Sequence, residues 1–143
     1  MTITQDFFVN VLTLFKENNF YCEFQSGYDH LMKGIKQCDN VMIVEDYSAY
    51  FPLNEKNKKI LIENVLKYHS EKYMNYFEIK SSENIPLFCS YDSFEIAEIA
   101  SEIQLSENFI EKYVKTELCI VLDKIIYPHD QLQYNIQPMR IKF

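Results

Sequence analysis

Two glycines, Gly27 and Gly34, serve the whole 143-residue chain, and neither the dinucleotide nor the nucleoside-triphosphate phosphate loop can be built from them. Arginine is almost absent. Arg140 is the single one, so recognition of phosphate by a cluster of bidentate guanidinium groups is excluded. No apolar run approaches the roughly 18 residues a membrane helix requires, and the start Met-Thr-Ile-Thr-Gln-Asp offers neither a basic nor an apolar leader segment. A cytoplasmic protein without membrane contact is the expectation. The four cysteines, Cys22, Cys38, Cys89 and Cys119, lie far apart among apolar neighbours and form no C-x-x-C pair. They read as buried free thiols, neither disulfides nor a metal site. His30, His69 and His129 are separated by tens of residues and lack metal-ligand spacing. No cofactor and no metal are expected.

Between Ser81 and Glu111 there is no lysine or arginine, yet seven acids occur: Glu83, Asp92, Glu95, Glu98, Glu102, Glu107 and Glu111. Net charge is -7, and residues 73–143 carry most of it, with eleven acids against six bases. Such a field repels nucleic acid and anionic membrane and attracts cationic partners. Hydrophobic residues make up 48% of the chain and aromatic residues 15%, with eleven Tyr and eleven Phe. That composition belongs to a folded chain, and the length fits one domain spanning 1–143.

Phe7, Phe8, Val11, Leu12 and Phe15 recur at helical spacing after Thr4 and before Asn18-Asn19. Phe20 to Gln25 alternates as a half-buried strand, 28–37 suggests a short helix, and Val41 to Val44 suggests a central strand. Tyr47 to Leu53 reads as a loop that exposes Tyr47, Tyr50 and Phe51. Asn54 caps a long helix running to about Asn75. Tyr76 to Lys80 and Ile85 to Ser90 form a hairpin. Asp92-Ser93-Phe94-Glu95 reads as a capping box that opens a helix to about Gln104, and Ser106 caps another to about Thr116. Leu118 to Tyr127 and Gln133 to Phe143 read as strands joined by Pro128-His129-Asp130. The fold expected is α/β or α+β, a mixed sheet of five or six strands packed with about five helices.

Helical spacing would align Glu95, Glu98 and Glu102 in one stripe and Glu107 with Glu111 in a second. Residues 95–113 resemble a helix-turn-helix, with Ala100 as the small residue, Leu105 and Ser106 at the turn, and Ile110 with Tyr113 at packing positions. Gln104 stands where that pattern usually has glycine, and six acids against Lys112 and Lys115 in 92–115 oppose a transcriptional regulator. Glu78-Ile79-Lys80 together with Asp46 resembles the carboxylate, carboxylate and lysine set of metal-dependent nucleases. The acidic surroundings would repel the substrate of such an enzyme.

Glu95, Glu98, Glu102, Glu107 and Glu111, with Tyr91 and Tyr113, small size and scarce glycine, give the chain a class-level resemblance to bacterial toxin-immunity proteins. The resemblance is one of character, with no family motif. It implies a non-enzymatic, cytoplasmic inhibitor that forms a heterodimer with a cognate basic toxin domain, a nuclease being the natural candidate, and covers its active or substrate-binding site with those seven residues. No nucleic acid or membrane would be bound.

Overall fold

Phe7, Phe8, Val11, Leu12 and Phe15 form the fully or nearly fully buried stripe of the first helix, α1 (Ile3–Leu14). The cap is Thr2, two residues before the expected one: its hydroxyl accepts from Gln5 N at 3.1 Å while Gln5 Oε1 accepts from Thr2 N at 3.0 Å. The computed structural model describes every residue except Asn18, on which half of the expected helix stop falls, and every other side chain except those of Pro128 and His129.

Among the described residues the chain forms seven strands and five α-helices: β1 (Phe20–Gln25), α2 (Asp29–Ile35), β2 (Met42–Val44), β3 (Ser48–Pro52), α3 (Glu55–Tyr68), β4 (Tyr76–Ser81), β5 (Pro86–Tyr91), β6 (Ile96–Ala100), α4 (Glu107–Phe109), β7 (Ile120–Leu122) and α5 (Pro128–Tyr134). This is an α+β arrangement around one sheet, of order β2-β3-β1-β4-β5-β6-β7. The sheet is mixed, as expected, because β6 and β7 pair parallel while all other pairs are antiparallel. Seven strands replace the expected five or six because Ser48–Pro52 and Ile96–Ala100 are strands while 133–143 is not; in the first of these Phe51 opposes Cys22 and is fully buried.

Alternation sorts the sheet into two faces. Cys22, Phe24, Phe51, Phe77, Ile79, Phe88, Ala97 and Ile99 point to the side covered by helices. There Phe8 meets Phe77 edge-on at 5.3 Å, and Phe7 packs against Tyr113 at 5.1 Å. Each such fully buried side chain contributes about 1.5–3 kcal/mol. α3 ends at His69, whose left-handed φ of 53° stops the helix well short of the expected Asn75, and a 3-10 turn over Ser70–Tyr73 leads into β4. Within that turn the Glu71 carboxylate is buried without a hydrogen bond among the described residues, 3.9 Å from His69 Nδ1.

Three further expectations are corrected. The helix from 93 to 104 does not form: Asp92, Ser93 and Phe94 all take positive φ, reversing the chain after β5 so that 96–100 pairs as a strand between β5 and β7. The helix-turn-helix therefore does not exist, although Ser106 does cap a helical turn by accepting from Phe109 N at 3.1 Å. That turn, α4, continues as a π-helical segment over Ile110–Val114. The apolar run Val41 to Val44 lies at the sheet's edge, not its centre, with Met42 61% and Val44 51% exposed. Finally, 133–143 is not a strand: α5 occupies its first part, and only residues around Arg140 meet the outer side of β7.

Candidate functional site on the open sheet face

The alternation that buries Cys22 and Phe24 sends Tyr21 and Glu23 to the opposite face. Register then places Tyr50 of β3 and Tyr76, Glu78 and Lys80 of β4 beside them, followed by Cys89 and Tyr91 of β5 and Glu98 of β6. The β4–β7 half of this face is crossed by the chain leaving β7, whose Tyr127 Oη donates to Glu78 Oε1 at 2.7 Å.

Glu78 is 1% exposed and is the centre of this network. Its second oxygen accepts from Tyr76 Oη, and the Cys89 thiol lies 3.8 Å from it. Lys80 Nζ is 2.9 Å from Glu23 Oε2 and 3.5 Å from Glu78 Oε1, and sits 5.4 Å above the Tyr50 ring. Tyr50 in turn stacks flat on Tyr21, with centroids 5.4 Å apart and planes 2° from parallel. A buried carboxylate demands such compensation, since an unpaired one would cost several kcal/mol.

Protonation follows from these contacts. Burial pulls the Lys80 ammonium toward neutrality, but the hydrogen bonds and charges of Glu23 and Glu78 outweigh it, and its pKa stands above the ordinary lysine value. Burial, reinforced by the neighbouring carboxylates, pushes the Cys89 thiol and the Tyr91 and Tyr127 phenols upward. Near neutral pH the lysine therefore stays charged and the thiol and phenols stay protonated. These four groups supply neither thiolate nor phenolate nor amine nucleophile. They lock the sheet face.

Glu98 lies opposite Cys89 on the same face, half-buried, and its carboxyl is raised by desolvation. A folded-state pKa above the unfolded value favours folding at low pH, and that advantage is lost as pH rises through the interval between the two values. Glu98→Gln is thus expected to stabilise the protein at pH 7, and the gain should vanish at pH 4. Urea midpoints of both proteins at the two pH values check this.

Of the seven residues expected to form a binding surface, the structure does not bring the set together. Glu95 and Glu102 flank opposite ends of β6, about 20 Å apart at the strand rise. Glu107 and Glu111 are exposed on the α4 and π-helical turns, with Glu111 paired to Lys115. Tyr113 is 1% exposed: its ring is in the core and its hydroxyl donates to Asp6, so it cannot touch a partner. Tyr91 joins the Glu78 neighbourhood through the Tyr76 ring at 5.5 Å.

The alternative set of Asp46, Glu78 and Lys80 is also divided. Glu78 and Lys80 are adjacent, but Asp46 is in the β2–β3 turn, four residues beyond Tyr50 and two strands away from β4, a separation on the order of 15 Å. Among the described residues no group of three or more acids, histidines and cysteines is placed to hold a metal ion. All four cysteines are buried and free.

Tyr21, Glu23, Met42, Val44 and Tyr127 are open-face residues that sequence reading did not place in a site, whereas Tyr50 stood out as an exposed aromatic of a supposed loop. The signal for Tyr21 and Glu23 was present in the alternation of β1. Those of β2 and β3 required the pairing itself, because their exposed and buried sides are set by which neighbour each strand finds.

No family model, no curated protein and no solved structure matches this chain.

Proposed function

We propose that this protein is a non-enzymatic, protein-binding inhibitor of the immunity type, which neutralises a cognate basic toxin domain by covering its active or substrate-binding site. The observation that carries the reading is the bare β2–β3–β1 half of the open sheet face. Met42 and Val44 are more than half exposed there, beside the flat Tyr21–Tyr50 stack and Glu23, and Glu45 and Asp46 project from the adjoining turn. Rigid tyrosines and apolar side chains rimmed by carboxylates supply contact area at low entropy cost and charge complementarity to a basic partner.

Charge elsewhere agrees. Glu83, Glu95, Glu102 and Glu107 are exposed with no cation in ion-pair range among the described residues. These scattered acids add long-range attraction without forming a surface of their own, which speeds encounter at low salt. The cluster of ionisable groups around Glu78 is consumed by its own internal bonds.

Reversal of the two turn acids, Glu45→Lys with Asp46→Lys, is expected to weaken binding to the basic partner by about 1–3 kcal/mol, chiefly through slower association. Both side chains are exposed, so the thermal midpoint should hardly move. Surface plasmon resonance at two salt concentrations, against the toxin domain captured with the wild-type protein, measures both rates. Unchanged association would remove the turn from the interface.

A further inference from the structure

The two edges of the sheet are treated differently by the chain. At β7 the chain's own C-terminal residues close the edge: Asp123 N donates to Met139 O and Ile141 N to Val121 O, both at 2.8 Å, around the Leu122–Arg140 bridge. At β2 nothing among the described residues does so.

Which backbone groups are left open follows from the register. Ser26 N donates to Tyr47 O at 2.8 Å and Leu53 N to Phe20 O at 2.9 Å, so the odd-numbered residues of β3 direct their backbone bonds toward β1. Alternation in an antiparallel ladder then directs Ser48 and Tyr50 toward β2. Their partners are Val44 and Met42, which spend their N–H and C=O groups on β3. Ile43, between them, turns its N–H and C=O outward, whereas Glu45, with φ of 53°, already belongs to the turn. No backbone or side-chain hydrogen bond within the described residues reaches these outward groups.

An open edge is a template for another strand, and natural sheets guard it unless pairing is intended. Here the guard is selective. A second copy pairing antiparallel about Ile43 would bring the β2–β3 turn of each chain to the N-terminal end of β2 in the other, gathering Asp39, Glu45 and Asp46 of both chains into two like-charged clusters. Such juxtaposition is destabilising. Lys56, 2.7 Å from Asp39, offsets only one carboxylate of each three. An extended segment with an apolar centre and basic residues at both ends meets no such penalty.

We infer that β2 is a docking edge for an extended strand of the basic partner, which extends the sheet to an eighth strand through the outward N–H and C=O of Ile43, with its flanking lysines or arginines against Asp39, Glu45 and Asp46. This rests on the basic-partner reading above. It goes beyond it by naming the main-chain mode of recognition. Met42 and Val44 lie beside the docked strand on the open face, where alternate apolar side chains of the segment would cover them.

The test uses the full chain and a nine-residue synthetic peptide of alternating valine and threonine in its centre with two lysines at each end. Amide spectra should show perturbation centred on Ile43 and its neighbours in β2, and exchange of the Ile43 amide should slow. N-methylation of the peptide's central amides should abolish these effects. Replacing its lysines by glutamates should weaken binding about tenfold or more. Ile43→Pro removes an outward donor without breaking a bond to β3, a substitution edge strands tolerate, so it should keep the fold and lose the peptide. Absence of perturbation at β2, or equal binding by the N-methylated peptide, overturns the docking edge even if lysine peptides bind elsewhere on the acidic surface. Equal binding of lysine- and glutamate-ended peptides at β2 would leave the edge standing and remove the basic character of its occupant.

Discussion

Phe94→Ala is expected to destabilise the protein by about 3–5 kcal/mol, the range for removing a buried aromatic side chain. The effect reaches beyond packing, because this ring holds a strained turn in place. Asp92, Ser93 and Phe94 have φ of 51°, 56° and 72°, and each non-glycine residue in that region costs roughly 1–2 kcal/mol. Offsetting contacts are visible. Asp92 N donates to Asn75 O at 3.0 Å, Ser93 Oγ to Lys72 O at 2.8 Å, and the Phe94 ring lies 5.6 Å from Phe8 and 5.7 Å from Phe77. Without the ring the strain is no longer compensated, and β6 loses its entry point. A second substitution separates strain from packing: Asp92→Gly relieves one left-handed position while keeping the backbone bond to Asn75 O, and should stabilise, or cost less than about 0.5 kcal/mol despite the flexibility glycine adds to the unfolded chain. Urea unfolding measures both. If Phe94→Ala costs under about 1 kcal/mol, the turn is held by something other than its ring.

Lys80→Met should cost about 3–5 kcal/mol at neutral pH, the penalty for leaving a buried carboxylate without its cation. Glu78 would keep its hydrogen bonds from Tyr76 and Tyr127 but lose the ammonium at 3.5 Å, while Glu23 loses the one at 2.9 Å. Adding Glu78→Leu should recover most of the loss, since apolar replacement of a whole buried pair is often neutral. Denaturant midpoints of the single and double variants at neutral pH decide the matter. A loss that the double variant does not recover would mean that Lys80 acts by packing alone.

Much of the fold could be read locally and part of it could not. The stripe of α1 and the alternation of β1 are short-range patterns, and each element formed where the pattern pointed. So did the hairpin of β4 and β5. Residues 95–104 defeated the same reasoning because Ile96, Ile99, Ala100 and Ile103 satisfy a helical period, while Ala97 and Ile99 against Ile96 and Glu98 satisfy a strand period equally well. What decides is tertiary: β5 on one side, β7 on the other, and the left-handed turn that Phe94 anchors. The acidic stripe fell with the helix, since strand spacing spreads Glu95, Glu98 and Glu102 along about 20 Å and turns the middle one into the sheet face. Tyr113 carries two conflicting readings, a packing position in the helix-turn-helix likeness and a member of the binding surface, and the structure supports the packing one, with its ring 5.1 Å from Phe7 and 4.9 Å from Phe109. Glu78 and Lys80 stood out in the sequence as a pair. Their nearness is real, yet Tyr127, 49 residues away, completes an ion-pair network where a catalytic set had been one reading.

The central claim is that this protein binds a basic protein stoichiometrically through the β2–β3–β1 side of its sheet. The most direct measurement is hydrogen exchange of the protein alone and in the complex isolated from its own host at low salt, read together with the partner's activity on titration. The account predicts one basic partner, inhibited at a one-to-one ratio, with protection concentrated at residues 41–51 and 20–25. Protection confined to the helical side, or a preparation that binds no protein and instead cleaves nucleic acid with a divalent ion in a manner abolished by Glu78→Gln, would contradict it.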